Sequence, residues 1–357
     1  MSIHLYFSAF SFLANFTQMN KSKLILALLI LFTSQTYAQL EEIFAARDDA
    51  QTYLNHYLSP VMNGLMYNLN NGWYHTGKTH DKWGFDFTIT ASASMIPEAE
   101  KMFVFDAAEY NYMSISSGSN ELPTAAGSET TTVLMATNDD GDSITFDALQ
   151  GVGDKWPSNF FIPVSVPTPM IQAGVGIPSG TDVKLRYFPK TTNDELAYSL
   201  LGIGIQHDLT QHLQFLDKIP TLHISALGSF TQAQLTYTPT ESPVEGEGQR
   251  MEMKVGTYTL QVIGDIDLKL VNFYLGMGYT GGATNIDALG TYQYDYDENG
   301  NYDADETLTD PMHLNFEING FKTTAGVRFN LGPARVFADY TLQKYPAIST
   351  GIAISFR

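Results

Sequence analysis

The sequence predicts an all-β protein: a closed antiparallel transmembrane β-barrel of about 14 strands with an N-terminal helical plug or hatch. Three observations predict it. The first is the end of the chain, where Ile348, Ile352, Ile354 and Phe356 fall on one face of a strand and Ala347, Ser349, Gly351, Ala353 and Ser355 on the other. A strand that is bulky on one side, small on the other and aromatic at its end suits a wall with lipid outside and a crowded lumen inside. The second is that this two-residue period recurs through much of the chain. The third is composition: only 16% of residues are charged, beside 29 Gly, 20 Tyr and 22 Phe. Few charges and many aromatics and glycines are what a barrel wall requires.

Residues 1–38 read as an upstream extension and a signal peptide. Met19-Asn20-Lys21-Ser22-Lys23 is basic, residues 24–32 are an apolar core, and Thr36-Tyr37-Ala38 is a small-residue cleavage site before Gln39. The apolar run is too short to cross a bilayer as a helix. The chain carries a formal charge of −19; without Lys21 and Lys23 it keeps 17 basic against 38 acidic residues, or −21. That balance argues against nucleic acid or an anionic lipid surface as a partner. With no cysteine there is no disulfide and no thiolate metal site.

Residues 39–80 read as an N-terminal helix and plug segment. Ile43, Ala46, Arg47, Ala50, Tyr53, Leu54, Tyr57 and Leu58 recur at helical spacing, predicting a helix over 40–58 that stops at Ser59-Pro60. Residues 61–74, with Asn68-Leu69-Asn70-Asn71-Gly72-Trp73-Tyr74, have no clean period and are rich in turn formers. A barrel of moderate width must fill its interior, so this segment is expected inside the lumen. A periplasmic extension packed on the lower rim is the other placement.

Residues 81–357 read as the barrel. Trp83, Phe85, Phe87 and Ile89 alternate with Asp86, Thr88 and Thr90; Val183, Leu185 and Tyr187 with Asp182, Lys184 and Arg186. The same pattern runs through 271–279, 322–331 and 334–344, and further strands are expected near 102–117, 130–136, 142–148, 169–177, 196–207, 220–237, 249–263 and 312–320. Four prolines make 155–169 a loop. Lys184, Arg186, Arg328, Arg335 and Asp339 lie mid-strand, facing a wet lumen in a barrel or solvent in a sandwich. Runs of about 10 residues favour the barrel. Asn330-Leu331-Gly332-Pro333 and Gly264-Asp265-Ile266-Asp267 suit periplasmic turns; the long acidic stretches 117–129, 238–248 and 282–311 suit extracellular loops. The last strand is expected to close on the first near Trp83.

The sharpest local motif is residues 295–306, which fit the spacing of a Ca²⁺-binding loop. Asp295, Asp297 and Asn299 would offer side-chain oxygens, Asn301 its carbonyl, Asp303 a direct or water-mediated contact, and Glu306 a bidentate carboxylate. Gly300 permits the turn. No amphipathic helices flank it, and an acidic, solvated hairpin tip has the same composition. The mature histidines show no zinc-protease spacing, and neither a nucleophile elbow nor a phosphate loop is present. The chain is read as not an enzyme.

Leu58-Ser59-Pro60, Asn70-Asn71-Gly72-Trp73-Tyr74, Gly84-Phe85-Asp86, Gly174-Val175-Gly176-Ile177-Pro178, Leu185-Arg186-Tyr187-Phe188-Pro189 and Gly202-Ile203-Gly204-Ile205-Gln206-His207-Asp208 together resemble uncharacterised outer-membrane β-barrel proteins of Bacteroidota. More distantly the layout is similar to the long-chain fatty-acid transporter family, whose Asn-Pro-Ala hatch motif is absent here. The resemblance implies a cell outer-membrane location, a lipid-bilayer environment and recognition of the Phe356 end by the outer-membrane assembly machinery. It also implies passive uptake of a small hydrophobic ligand along a path past Ser59, Pro60, Asn70, Asn71, Gly72 and Trp73. The alternatives are a structural or adhesive barrel with Ca²⁺-binding acidic loops, and a soluble secreted β-protein.

Overall fold

The computed structural model describes residues 43, 46, 48–137, 143–155, 163–192, 195–213, 219–240, 245–293 and 307–356. Among these, ten strands form one closed antiparallel barrel. They are β1 (Phe85–Met95), β2 (Ser165–Ile177), β3 (Thr181–Thr192), β4 (Leu196–Asp208) and β5 (Leu222–Tyr237). The circuit continues with β6 (Arg250–Asp267), β7 (Val271–Leu289), β8 (Met312–Leu331), β9 (Ala334–Leu342) and β10 (Ala347–Phe356). Each pairs with its neighbours in sequence, and β10 returns to β1 from Phe85 opposite Phe356 to Ser94 opposite Ala347. The rings of Phe85 and Phe356 stack across this seam, 5.1 Å apart. Closure pairs every strand with two neighbours, which is how an antiparallel sheet of this size limits its exposed edges.

The expected count of about 14 strands is too high. The segments at 102–117, 130–136 and 142–148 do contain strands, but they pair among themselves. Met102–Val104 joins Glu121–Pro123, and Met113–Ser117, Val133–Thr137 and Ser143–Asp147 form a three-stranded sheet. All lie in the connection between β1 and β2. The predicted strands at 312–320 and 322–331 are a single strand, β8. Alternation identifies a strand; it does not say which sheet the strand joins.

The connections sort by end. Residues 178–180, 209–221, 268–270 and 332–333 turn the chain at one end, and 96–164, 193–195, 238–249, 290–311 and 343–346 at the other. The acidic loops expected at 117–129 and 238–248 fall at the second end; the one expected at 282–311 starts later, because β7 continues to Leu289. The turn placed at 264–267 is displaced, because β6 continues to Asp267. Around the wall, side chains such as Phe87, Ile203, Tyr258, Leu260, Phe273, Met277 and Ile354 are exposed, while Thr88, Thr90, Thr257, Thr259 and Ser349 are buried. The last strand shows the predicted faces: Ile352, Ile354 and Phe356 point outward, and Ala347, Ser349 and Ala353 are fully buried.

A barrel of this strand number measures about 20 Å across its backbone, and an α-helix with side chains about 10–12 Å. One helix just fits. Helix α1 (Asp48–Leu69) lies against the inner faces of β8, β2, β7 and β1. It starts among the long connections and points toward the short turns. Its bounds differ from the expected 40–58, and Pro60 sits inside it rather than ending it. From Pro60 to Asn71 every residue is buried. An internal proline costs about 3 kcal/mol, less than burying several large side chains at about 1.5–3 kcal/mol each. Leu54, Met62, Leu65 and Met66 share one core with Val255, Ile286, Leu314 and Phe316 of the wall.

The expected loop at 155–169 is also corrected at its end. β2 begins at Ser165 and carries Pro167 and Pro169, opposite Ala93 and Ala91 of β1. On its other side the ladder with β3 runs only from Ile177–Thr181 to Gln172–Arg186. Prolines are tolerated there because that pairing has already stopped.

Candidate functional site

The site is built where α1 ends. A helix leaves its last carbonyls without partners, and its C-terminus carries partial negative charge. Three wall cations meet that end and the irregular segment after it. Arg186 donates from Nη1 to the Leu69 carbonyl (2.9 Å), from Nη2 to that of Asn71 (2.8 Å), and from Nε to Gln172 Oε1 (3.1 Å). Lys322 Nζ donates to the Asn70 carbonyl (2.9 Å) and to Asn71 Oδ1 (2.8 Å). Lys184 Nζ donates to the Trp73 carbonyl (3.0 Å) and Gln206 Oε1 (2.7 Å). All three cations are buried.

Trp73 fills the space between strands. The Arg186 guanidinium lies 3.8 Å from its ring centroid, a cation–π contact. On the wall below it are Gly202 and Gly204, where a Cβ would come within 3.1 and 2.9 Å of the indole. Tyr74 occupies the room left by Gly276 and donates to Gln261 Oε1 at 3.1 Å. Gly72 has a φ of +67°, which lets the chain turn between these contacts.

Toward the short turns the polarity reverses, and carboxylates hold donors. The Gly77 amide and Thr76 hydroxyl donate to Asp265, and the His80 amide donates to Asp182 Oδ1 (2.9 Å) with its ring Nδ1 2.9 Å from Oδ2. His75 Nε2 lies 3.2 Å from Asp86 Oδ2. Residues 69–80 are thus fastened to the wall by opposite charges at two levels. At the other end of α1, the Leu149 amide donates to the Tyr53 hydroxyl (3.0 Å), and burial holds that phenol above its usual range and neutral.

Of the residues expected along a substrate path, Asn70, Asn71, Gly72 and Trp73 come together at Arg186 and Lys322. Ser59 and Pro60 do not join them; they sit on α1, about 15 Å nearer the long connections. Ser59 instead lines a polar pocket of about 320 Å³ with Asn55, His56, Asn63, Phe316 and Glu317. The expected Ca²⁺ ligands Asp295, Asp297, Asn299, Asn301, Asp303 and Glu306 lie outside the described residues. Gln172, Lys322, Gly202 and Gly204 were not singled out as site residues. Lys184 and Arg186 were visible as cations on the inner face, but their carbonyl partners are 111 to 117 residues away in sequence.

Arg186 is also the last rung of the β2–β3 ladder. Since Gln172 faces Arg186, a continued register would set Pro169 against Pro189, and neither has an N–H to give. Above this point β3 also shifts register against β4, between Phe188 and Thr191. Met170 Sδ lies 2.8 Å from Arg186 Nη1 beside the break.

A family profile described as "Family of unknown function (DUF6588)" matches residues 19–356. None of the curated proteins matches the chain. Among solved structures, Ail, the attachment invasion locus protein of Yersinia pestis, is similar at 9% identity over 77% of this chain and 100% of that one, with a TM-score of 0.27. The outer membrane protease OmpT of Escherichia coli is similar at 9% identity, 76% and 94% coverage and a TM-score of 0.24. The toluene transporter TbuX of Ralstonia pickettii is similar at 11% identity, 79% and 91% coverage and a TM-score of 0.17. Likeness at this level adds nothing to the barrel already read from strand pairing.

Proposed function

This chain belongs to the family of unknown function DUF6588, and from that premise we propose that it is an outer-membrane barrel for passive passage of a small hydrophobic molecule. The N-terminal segment acts as its plug, and the wall opens sideways between β2 and β3. The outward belt supports the membrane reading. On the outer face of β6, Tyr258, Leu260, Val262 and Ile266 are exposed, a run of about 27 Å along the strand and about 20 Å once tilted. That is close to the apolar height of about 25 Å that such barrels present to lipid.

The observation that carries the passage reading is the broken β2–β3 ladder beside the plug. It offers an apolar molecule a way into the bilayer without crossing the charged levels near the short turns. The test uses the absence of cysteine from the chain. Pro169→Cys with Pro189→Cys would staple the break when oxidised. Cells carrying this barrel should then stop accumulating labelled toluene, and reductant should restore accumulation. Equal accumulation in both states would refute the reading.

The clasp on residues 69–80 favours a second reading, a permanently occluded structural or adhesive barrel whose acidic loops bind Ca²⁺ and a surface partner. Under it the stapled and reduced proteins both leave toluene outside, and calorimetric titration with Ca²⁺ gives a saturating heat that Asp297→Asn and Glu306→Gln abolish. Absence of heat at millimolar ion would remove Ca²⁺ from this reading.

A further inference from the structure

We propose a transition-metal site formed by His207 and His212 at the short-turn end of the barrel. His207 is the penultimate residue of β4, and His212 closes the one-turn 3₁₀ helix Thr210–His212 that follows. Their Nε2 atoms are 3.1 Å apart. The ring centroids are 5.3 Å apart and the planes tilted by 32°, so nitrogens meet rather than ring faces.

The surroundings give the other nitrogen of His207 a partner. Its Nδ1 lies 2.7 Å from Thr181 Oγ1, a hydroxyl that can accept from it. With Nδ1 donating to that hydroxyl, Nε2 presents a lone pair toward His212, 3.1 Å from its Nε2. A ligating histidine typically has its other nitrogen hydrogen-bonded in this way. The Gln211 amide ties the same corner by donating to the carbonyls of Ser179 (2.9 Å) and Asp208 (2.8 Å).

A hydrogen bond between two neutral imidazoles would fill the 3.1 Å gap. So would a cation taking both lone pairs: bonds of about 2.0–2.1 Å meeting at 90–110° span about 2.9–3.4 Å between nitrogens. His212 is exposed and can turn its ring to that angle. Neither imidazole is paired with a carboxylate. Two imidazoles with water completing the shell suit Cu²⁺, Ni²⁺ or Zn²⁺ and not Ca²⁺. The ion would fix the root of the 209–221 connection to the end of β4, where the other turns at this end are far shorter.

The test is titration of the full barrel in detergent with CuCl₂, followed by calorimetry and by electron paramagnetic resonance for nitrogen ligation. We expect one Cu²⁺ with nitrogen couplings. His207→Ala and His212→Ala should each abolish it, Thr181→Val should weaken it about tenfold or more by freeing the ring, and His313→Ala should leave it unchanged. Both imidazoles are at the surface, so the variants fold, and retained heat-modifiable gel mobility checks that. No nitrogen-coupled Cu²⁺ in the native protein, or undiminished binding in His207→Ala or His212→Ala, would overturn the proposal.

Discussion

Arg186 joins the wall, the helix end and the Trp73 ring. Replacing it with Met keeps much of the volume and orphans the Leu69 and Asn71 carbonyls and Gln172. With about 1–3 kcal/mol for each buried group left unpaired, the loss should be several kcal/mol, read as a lower urea midpoint by tryptophan emission. Arg186→Lys should recover only part of it, since an ammonium cannot span both carbonyls with the same fork. At Gly204 the steric argument makes a second prediction. Gly204→Val should destabilise by about 1–3 kcal/mol, and the cost should shrink in a Trp73→Ala background, because the two residues share one space. A full, additive cost would mean Trp73 is not what the glycine accommodates. The sequence shows a cation between Leu185 and Tyr187 and hence its inward side. It does not show that the cation meets backbone carbonyls instead of water, since nothing local marks a partner over a hundred residues away.

At the scale of elements, period-2 alternation located most barrel strands, and it succeeded because one face of each carries exposed apolar side chains and the other packs inward. It failed where a different force decides. The helix end was misplaced because Ser59-Pro60 is a strong local stop, overridden by burial all round the helix. Pro60→Ala should therefore be neutral to stabilising by up to about 2 kcal/mol: the His56 carbonyl regains a donor and the chain loses some ring packing. A large loss would show that the proline shape is itself needed. β2 was misread because prolines argue against a strand with neighbours on both sides, and β2 has only one neighbour at that level. Pro169→Val with Pro189→Val supplies two donors. If the missing N–H groups keep the ladder from extending, the new amides should gain protection from hydrogen exchange and toluene accumulation should fall. Unprotected amides would place the cause of the break elsewhere.

For the whole molecule, the closed antiparallel wall and its two unlike ends were legible, and the strand number was not, because hairpins in the β1–β2 connection carry the same signal as the wall. Fractionation should recover the protein in the outer membrane with heat-modifiable migration on gels; recovery as a soluble periplasmic protein would defeat the membrane reading. Helix α1 begins at the long-connection end, and the chain reaches the short-turn end by Lys78–His80, just ahead of β1. The segment ahead of β1 thus runs through the tube from one end to the other, and β1 pairs on one side with β2 and on the other with β10. The Phe85–Phe356 seam brings the two ends of the described wall together around that segment. That segment gives the wall its form: a chain without residues 48–80 would lack the interior against which its strands are set.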